Sequence, residues 1–218
     1  MKLTDIKIMG DGSVGGGTYG TVKIMGNGRV GAHVDAQLIK VMGNGELRSA
    51  RAKEITVAGY ARFDGDVSGG EFNISGSTQV NGDIKVETIT VNGDLKGKNV
   101  EAESFVSRGV FHLETLNAGD VKITPGGRSK VKEIGAENID VSQKGFWGAL
   151  QWFTFGVHHN ELVADIIEAD RIYLERTVAK SVKGNHVTIG PGCKIDLVEF
   201  KDSVQVDKDA RVEKTVQV

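Results

Sequence analysis

The chain has 218 residues, with 27 Lys and Arg set against 29 Asp and Glu for a formal net charge of -2. Charges of both signs are interspersed without a basic block, which argues against nucleic acid as a partner, and no run of 18 apolar residues offers a membrane-spanning helix. The lone Cys193 has no intramolecular disulfide partner and Met-Lys-Leu-Thr-Asp leads straight into patterned sequence, so a cytoplasmic protein is expected.

From the first residue onward, four small or apolar positions recur with spacings of two, three and two. They are Met1, Leu3, Ile6, Ile8, then Gly17, Tyr19, Val22, Ile24, then Val34, Ala36, Ile39, Val41, then Ala50, Ala52, Ile55, Val57. The phrase returns at Val67, at Ile84, at Val100, at Leu116 and at Ile134, about every 17 residues. Residues two apart on a strand share a face, so each pair is a strand signal and the three-residue step is a corner. Two positions after each second pair stands a glycine (Gly10, Gly26, Gly43, Gly59, Gly76, Gly93, Gly109), where a bend favours a residue without Cβ. A further apolar residue follows at Val14, Val30, Leu47, Phe63 and Val80.

Three short strand segments per turn, repeated through residues 1–218, predict a single all-β domain: a three-sided parallel β-helix of roughly 12 turns. Asn-Gly and Asp-Gly pairs such as Asn44-Gly45 and Asp64-Gly65 also suit hairpins, which makes an antiparallel meander the competing architecture. A constant strand content every 17 residues favours the solenoid.

After Val141 the phrase returns only at Ile167, 33 positions from Ile134, so one segment has been let into a turn or has replaced one. The insert, 144–160, carries Phe146, Trp147, Trp152, Phe153 and Phe155. Phe146, Leu150 and Phe153 have helical spacing, which would let a short helix cover a weak place in the wall. The alternative is an exposed contact site for another protein or, through the same aromatics, for a membrane surface. The repeat then resumes at Val182, Gly184, Val187, Ile189, continues through Ile195, Leu197, Phe200, and closes on alternating Val204 to Val218. Neither end carries a capping helix, so Leu3, Ile6 and Ile8 at one end and Val212, Val216 and Val218 at the other are the candidate self-association residues.

The chemical motifs are sparse. Glycine clusters such as Gly15-Gly16-Gly17 lack the lysine or following helix of a phosphate loop, and no cofactor is expected. His158 and His159 are adjacent, so on a strand they point apart and do not chelate together. The carboxylates Asp35, Glu54, Asp66, Glu71, Asp83, Glu87 and Glu101 are scattered over corners and outward positions, with no spacing that selects a catalytic pair. Cys193 reads as a small packed hydrophobe. No catalytic, metal or cofactor residues are assigned.

Ile89-Thr-Val-Asn-Gly-Asp-Leu95, and Val80-Asn-Gly-Asp-Ile84 leading into Val86-Glu-Thr-Ile-Thr-Val91, resemble the bactofilins, bacterial polymer-forming cytoskeletal proteins, most clearly from about residue 34 to residue 124. That resemblance implies a right-handed β-helix which polymerises end to end without nucleotide and forms scaffolds near the membrane that position other proteins. The expected function is accordingly a self-assembling scaffold and not an enzyme. A non-polymerising adaptor working through the insert is the first alternative, and a β-helix enzyme on carbohydrate or acyl substrates the second.

Overall fold

The computed structural model describes residues 3–143 and 160–218. Seventeen strands and no helix are found among them. The first third holds β1 Ile6–Ile8, β2 Asp11–Val14, β3 Gly17–Ile24, β4 Asn27–Val41, β5 Asn44–Val57, β6 Tyr60–Phe63 and β7 Val67–Ile74. The middle holds β8 Ser77–Val80, β9 Ile84–Val91, β10 Asp94–Lys96, β11 Asn99–Ser107, β12 Val110–Ile123 and β13 Arg128–Val141. After the insert come β14 Glu161–Leu174, β15 Thr177–Ile189, β16 Lys194–Val206 and β17 Arg211–Gln217.

Every pairing is parallel and joins one turn to the next, which excludes the meander. One column of partners runs Ile6, Val22, Ile39, Ile55, Phe72, Ile89, Phe105, Val121, Ile139, Ile172, Val187, Val204, and so counts twelve turns. The fold is a β-solenoid. Because alternate side chains of each wall point inward, the repeated pairs form one continuous core in which Val22, Ile39, Phe72, Phe105 and Val187 are essentially inaccessible.

The core is filled by complementary sizes. Small residues fill most of one column (Ala36, Ala52, Gly69, Ala102, Ala118, Ala136), which begins at Tyr19 and holds Val86 between Gly69 and Ala102, and the large rings pack edge-on elsewhere: Phe63 on Phe72 with centroids 6.0 Å apart, and Phe105 on Phe111 at 5.2 Å. A third column grows along the rod, from Gly12, Gly28 and Gly45 through Ala61 and Thr78 to Leu95 and Phe111.

The corner glycines stack as the repeat requires, but for a different reason from the one their spacing suggested. Gly26, Gly43, Gly59, Gly76, Gly93 and Gly109 do not have positive φ. A Cβ on any of them would instead fall within 3.0 Å of the carbonyl oxygen of the glycine one turn before. Close approach between turns, not backbone conformation, selects glycine here.

The sequence phrase Ile195, Leu197, Phe200 also needs correcting. Val198, not Leu197, pairs with Val182 and is fully buried, and one extra residue is accommodated in β16 between Phe200 and Ser203, opposite Gly184 and His186. That bulge restores Val204 and Val206 to the columns of Val187 and Ile189.

Candidate assembly faces and the root of the insert

A parallel solenoid satisfies each strand from both sides except at its first and last turns. Among the described residues, β1 and β2 pair only with β3 and β4 above them, and β17 pairs only with β16 below it. Both faces therefore present a row of ladder donors and acceptors together with core side chains that no other described residue covers.

At the first face, Ile8 is buried and Ile6 partly buried against the core, while Leu3 is 37% exposed. Asp5 holds the turn in place by accepting the Thr21 amide at 2.8 Å. At the second face, Val212 packs on the core in the column of Ile195. Val216 falls elsewhere: it pairs with Glu199, in an outward-facing column with Lys183 and Glu168, and Thr215 is the residue stacked over Val198. Val218 is exposed beside that outer wall. Val204, Val206 and Ala210 complete the second face, and Val14 and Gly12 the first. Sequence reasoning did not assign these to the faces. The bulge in β16 hid Val204 and Val206, because it shifts every later inward position by one.

The insert leaves from a corner. β13 pairs directly with β14, residue for residue from Arg128↔Glu161 to Val141↔Leu174, so the segment has been let into a turn and has not replaced one. Residues on both sides of it are tied to the wall. Ser142 donates its amide to the Ile123 carbonyl at 3.0 Å, and the Gln143 amide donates to Glu175 Oε2 at 2.9 Å. The hydroxyl of Tyr173 donates to Glu175 Oε1 at 2.5 Å, and this bond, with partial burial, pushes the phenol up to about 12. Beyond the insert, the Glu161 amide reaches the Gly127 carbonyl at 3.2 Å and its carboxylate meets Arg128 at 3.0 Å. Phe146, Trp147, Trp152, Phe153, Phe155 and both His158 and His159 lie outside the described residues.

The same corner column carries an exposed apolar stripe nearer the first face. Met9, Met25 and Met42 are 66%, 38% and 36% exposed and stack one turn apart through the bonds Met25 N to Ile8 O and Met42 N to Ile24 O. The signal was in the sequence as Ile-Met-Gly, Ile-Met-Gly and Val-Met-Gly.

Polar side chains on the outer walls bond chiefly to the turn above or below. Arg29 meets Glu46 at 2.6 Å, Arg51 meets Asp35 at 2.6 Å and Lys85 meets Glu101 at 2.7 Å. Asp66 accepts the Asp83 amide, Asp83 accepts from Asn99, and Glu54 accepts from Thr56. Such exposed pairs add little stability individually but oppose slippage of one turn on the next. Two groups combine Ser, His and Asp: His33 lies 2.9 Å from Ser49 Oγ and 3.3 Å from Asp35, and His186 lies 3.1 Å from Ser203 Oγ and 3.5 Å from Asp202. Both occur where a bulge sets histidine under serine. Around Ser49 the nearby amides are committed, Ala50 to the Asp66 carbonyl and Gly65 to that of Arg48, so they do not form an oxyanion hole.

No cluster of three or more His, Cys, Asp or Glu suited to a metal ion occurs among the described residues. Cys193 is buried in the core as a small hydrophobe, its Sγ 3.3 Å from the Leu174 carbonyl, and burial pushes its thiol up to about 11. No described helix is long and apolar enough to cross a membrane.

Comparison with known proteins adds two relatives. The chain is 37% identical over 102 residues to the uncharacterized protein YhbF of Bacillus subtilis (strain 168), an alignment covering 46% of this chain and 40% of the relative. It is 38% identical over 105 residues to the uncharacterized protein YhbE of the same organism, covering 47% and 43%. The chain thus spans less than half the length of the curated relatives it matches. No family model matches, and no solved structure does.

Proposed function

We propose that this protein is a non-enzymatic, self-assembling scaffold of the bactofilin kind, acting in the cytoplasm and polymerising through its two end faces without nucleotide. The observation that supports this reading is the pair of open ladders, β1–β2 at one face and β16–β17 at the other, each beside apolar core residues that no other described strand covers. A second copy stacked on either face would extend the parallel ladder and remove those side chains from water in one step, with no cofactor consumed. Electron microscopy of the purified chain tests it. Filaments or sheets are expected, and they should disappear in Ile8→Lys and in Val206→Lys; a monomer that persists at high concentration contradicts the proposal.

The insert suits a recruiting role within the same reading. Direct pairing of β13 with β14 continues the wall across the place where the segment departs, so the ladder does not depend on its five aromatics, whose residue types suit a protein partner or peripheral membrane contact. Trp147→Ala combined with Trp152→Ala should abolish partner capture while polymers still form. Capture that is unchanged would remove that role from the insert.

A further inference from the structure

One outer wall near the first face is sunken. Its inward positions are Gly12, Gly28 and Gly45, and the wall lies so close to the core that a Cβ on Gly28 would come within 2.8 Å of Ile24 Cγ2 and 3.1 Å of Ile8 Cδ1. Beyond Gly45 the inward residue enlarges to Ala61, Thr78, Leu95 and Phe111, which hold the wall outward. The change in size leaves a groove of about 630 Å³ running along the rod. Its sides are the two outward rows at positions two apart, separated by roughly 7 Å, and it spans three steps between turns, about 14 Å.

We infer that this groove binds a neutral oligosaccharide, two or three sugar units long, lying parallel to the rod. One side is a chain of amides: Asn27 Nδ2 donates to Asp11 Oδ1 at 2.7 Å and Asn44 Nδ2 donates to Asn27 Oδ1 at 2.9 Å. Each amide nitrogen has a second N–H and each oxygen a second lone pair, the donor and acceptor mixture that sugar hydroxyls match. At the end of this row stands Tyr60, 39% exposed and paired with Asn44 in the ladder, where its ring can stack on the C–H face of a sugar. The opposite side is Arg29, whose charge is taken up by Glu46 at 2.6 Å.

The same features argue against other occupants. With Arg29 neutralised and Asp11 contributing a negative charge, the groove does not attract phosphates or acidic glycans. Its floor offers no main-chain ladder to a peptide strand, because the backbone groups of β2, β4, β5 and β6 pair along the rod axis with each other. Recognition there rests on side chains: the amides of Asn27 and Asn44, the Tyr60 phenol, the Ser13 hydroxyl, the Asp11 carboxylate and the Arg29–Glu46 pair. The groove opens on a side wall and shares only β2 with the first face, while Asn27, Arg29, Asn44 and Tyr60 belong to later turns, so this inference does not depend on whether the rods polymerise.

Titration calorimetry of the full chain with cellotetraose, chitotetraose, xylotetraose and maltotetraose tests it. At least one should bind, with Tyr60→Phe near wild type, Tyr60→Ala weaker by about tenfold, and Asn27→Ala combined with Asn44→Ala reducing binding further. Circular dichroism confirms that these surface variants fold, and electron microscopy should show assembly unchanged in all three. Absence of binding to all four sugars by the folded protein overturns the inference, as does an affinity that Tyr60→Ala leaves unaltered.

Discussion

Single residues in this rod are fixed by what the neighbouring turn leaves them. Gly76 sits over the Gly59 carbonyl with no room for a methyl group, whereas Gly31 has nothing within 4 Å of its Cβ direction and no positive φ. Gly76→Ala should therefore destabilise by about 1–3 kcal/mol, as overpacking does, while Gly31→Ala should stay within about 0.5 kcal/mol; urea titrations of the two variants measure the difference. Thr78 gives the opposite case. Its hydroxyl is buried with no hydrogen-bond partner in the column between Ala61 and Leu95. Thr78→Val keeps the shape and removes the unpaired group, so stability should rise by about 1 kcal/mol.

Tyr173 supplies a pH-dependent contribution of known sign. Its phenol is raised from 10.0 to about 12, first by the bond to Glu175 and then by burial, so the folded state holds the proton more tightly than the unfolded state. The stabilisation is complete below about pH 10 and is lost as pH rises through about 12. Between those limits Tm should fall more steeply for the native chain than for Tyr173→Phe, and equal slopes would show that the bond to Glu175 does not matter for stability.

Among the elements, β13 and β14 decide how the insert is to be regarded. They pair along their whole length across a step of 33 residues, and their adjoining residues are pinned by Ile123, Gly127 and Glu175. The ladder does not need the intervening segment to remain in register. Replacing 144–159 by two residues is expected to leave the far-ultraviolet circular dichroism spectrum and the cooperativity of unfolding intact. A broad or early transition would mean that the segment covers the wall. Its departure from the corner column was not legible in the sequence, because a gap of two periods is equally compatible with a lost turn. Pairing alone separates the two.

For the whole molecule, if copies stack through their end faces as proposed, the register of the last turn determines which substitutions should affect assembly. Val206 lies over Ile189 in an inward column, and Val216 lies beside Glu199 in an outward one. Lysine at 206 would place a charge in the stacking interface, where it cannot be solvated without separating the two copies. Lysine at 216 would extend a wall that already carries Lys183 and Glu199. Sedimentation velocity should show Val206→Lys monomeric and Val216→Lys assembled; the reverse pattern would mean that association runs through the side wall.

The sequence by itself determined the solenoid, its turn length and the inward columns of the four-position phrase from Val34 to Val141. A period of 17 residues repeats the same contacts at every level, and the β-strand alternation assigns each side chain to a face. It also marked the corner glycines and the insert. Only the tertiary structure decided why those glycines are required, since the nearby carbonyl belongs to another turn 16 or 17 residues away. It likewise decided the inward residues of the last two turns, where one extra residue in β16 reverses the faces, and the sunken wall beside Tyr60, which arises from a gradual change in side-chain volume across seven turns. A repeat specifies what is the same in each turn, and these features depend on differences between turns that acquire meaning only when the turns are stacked.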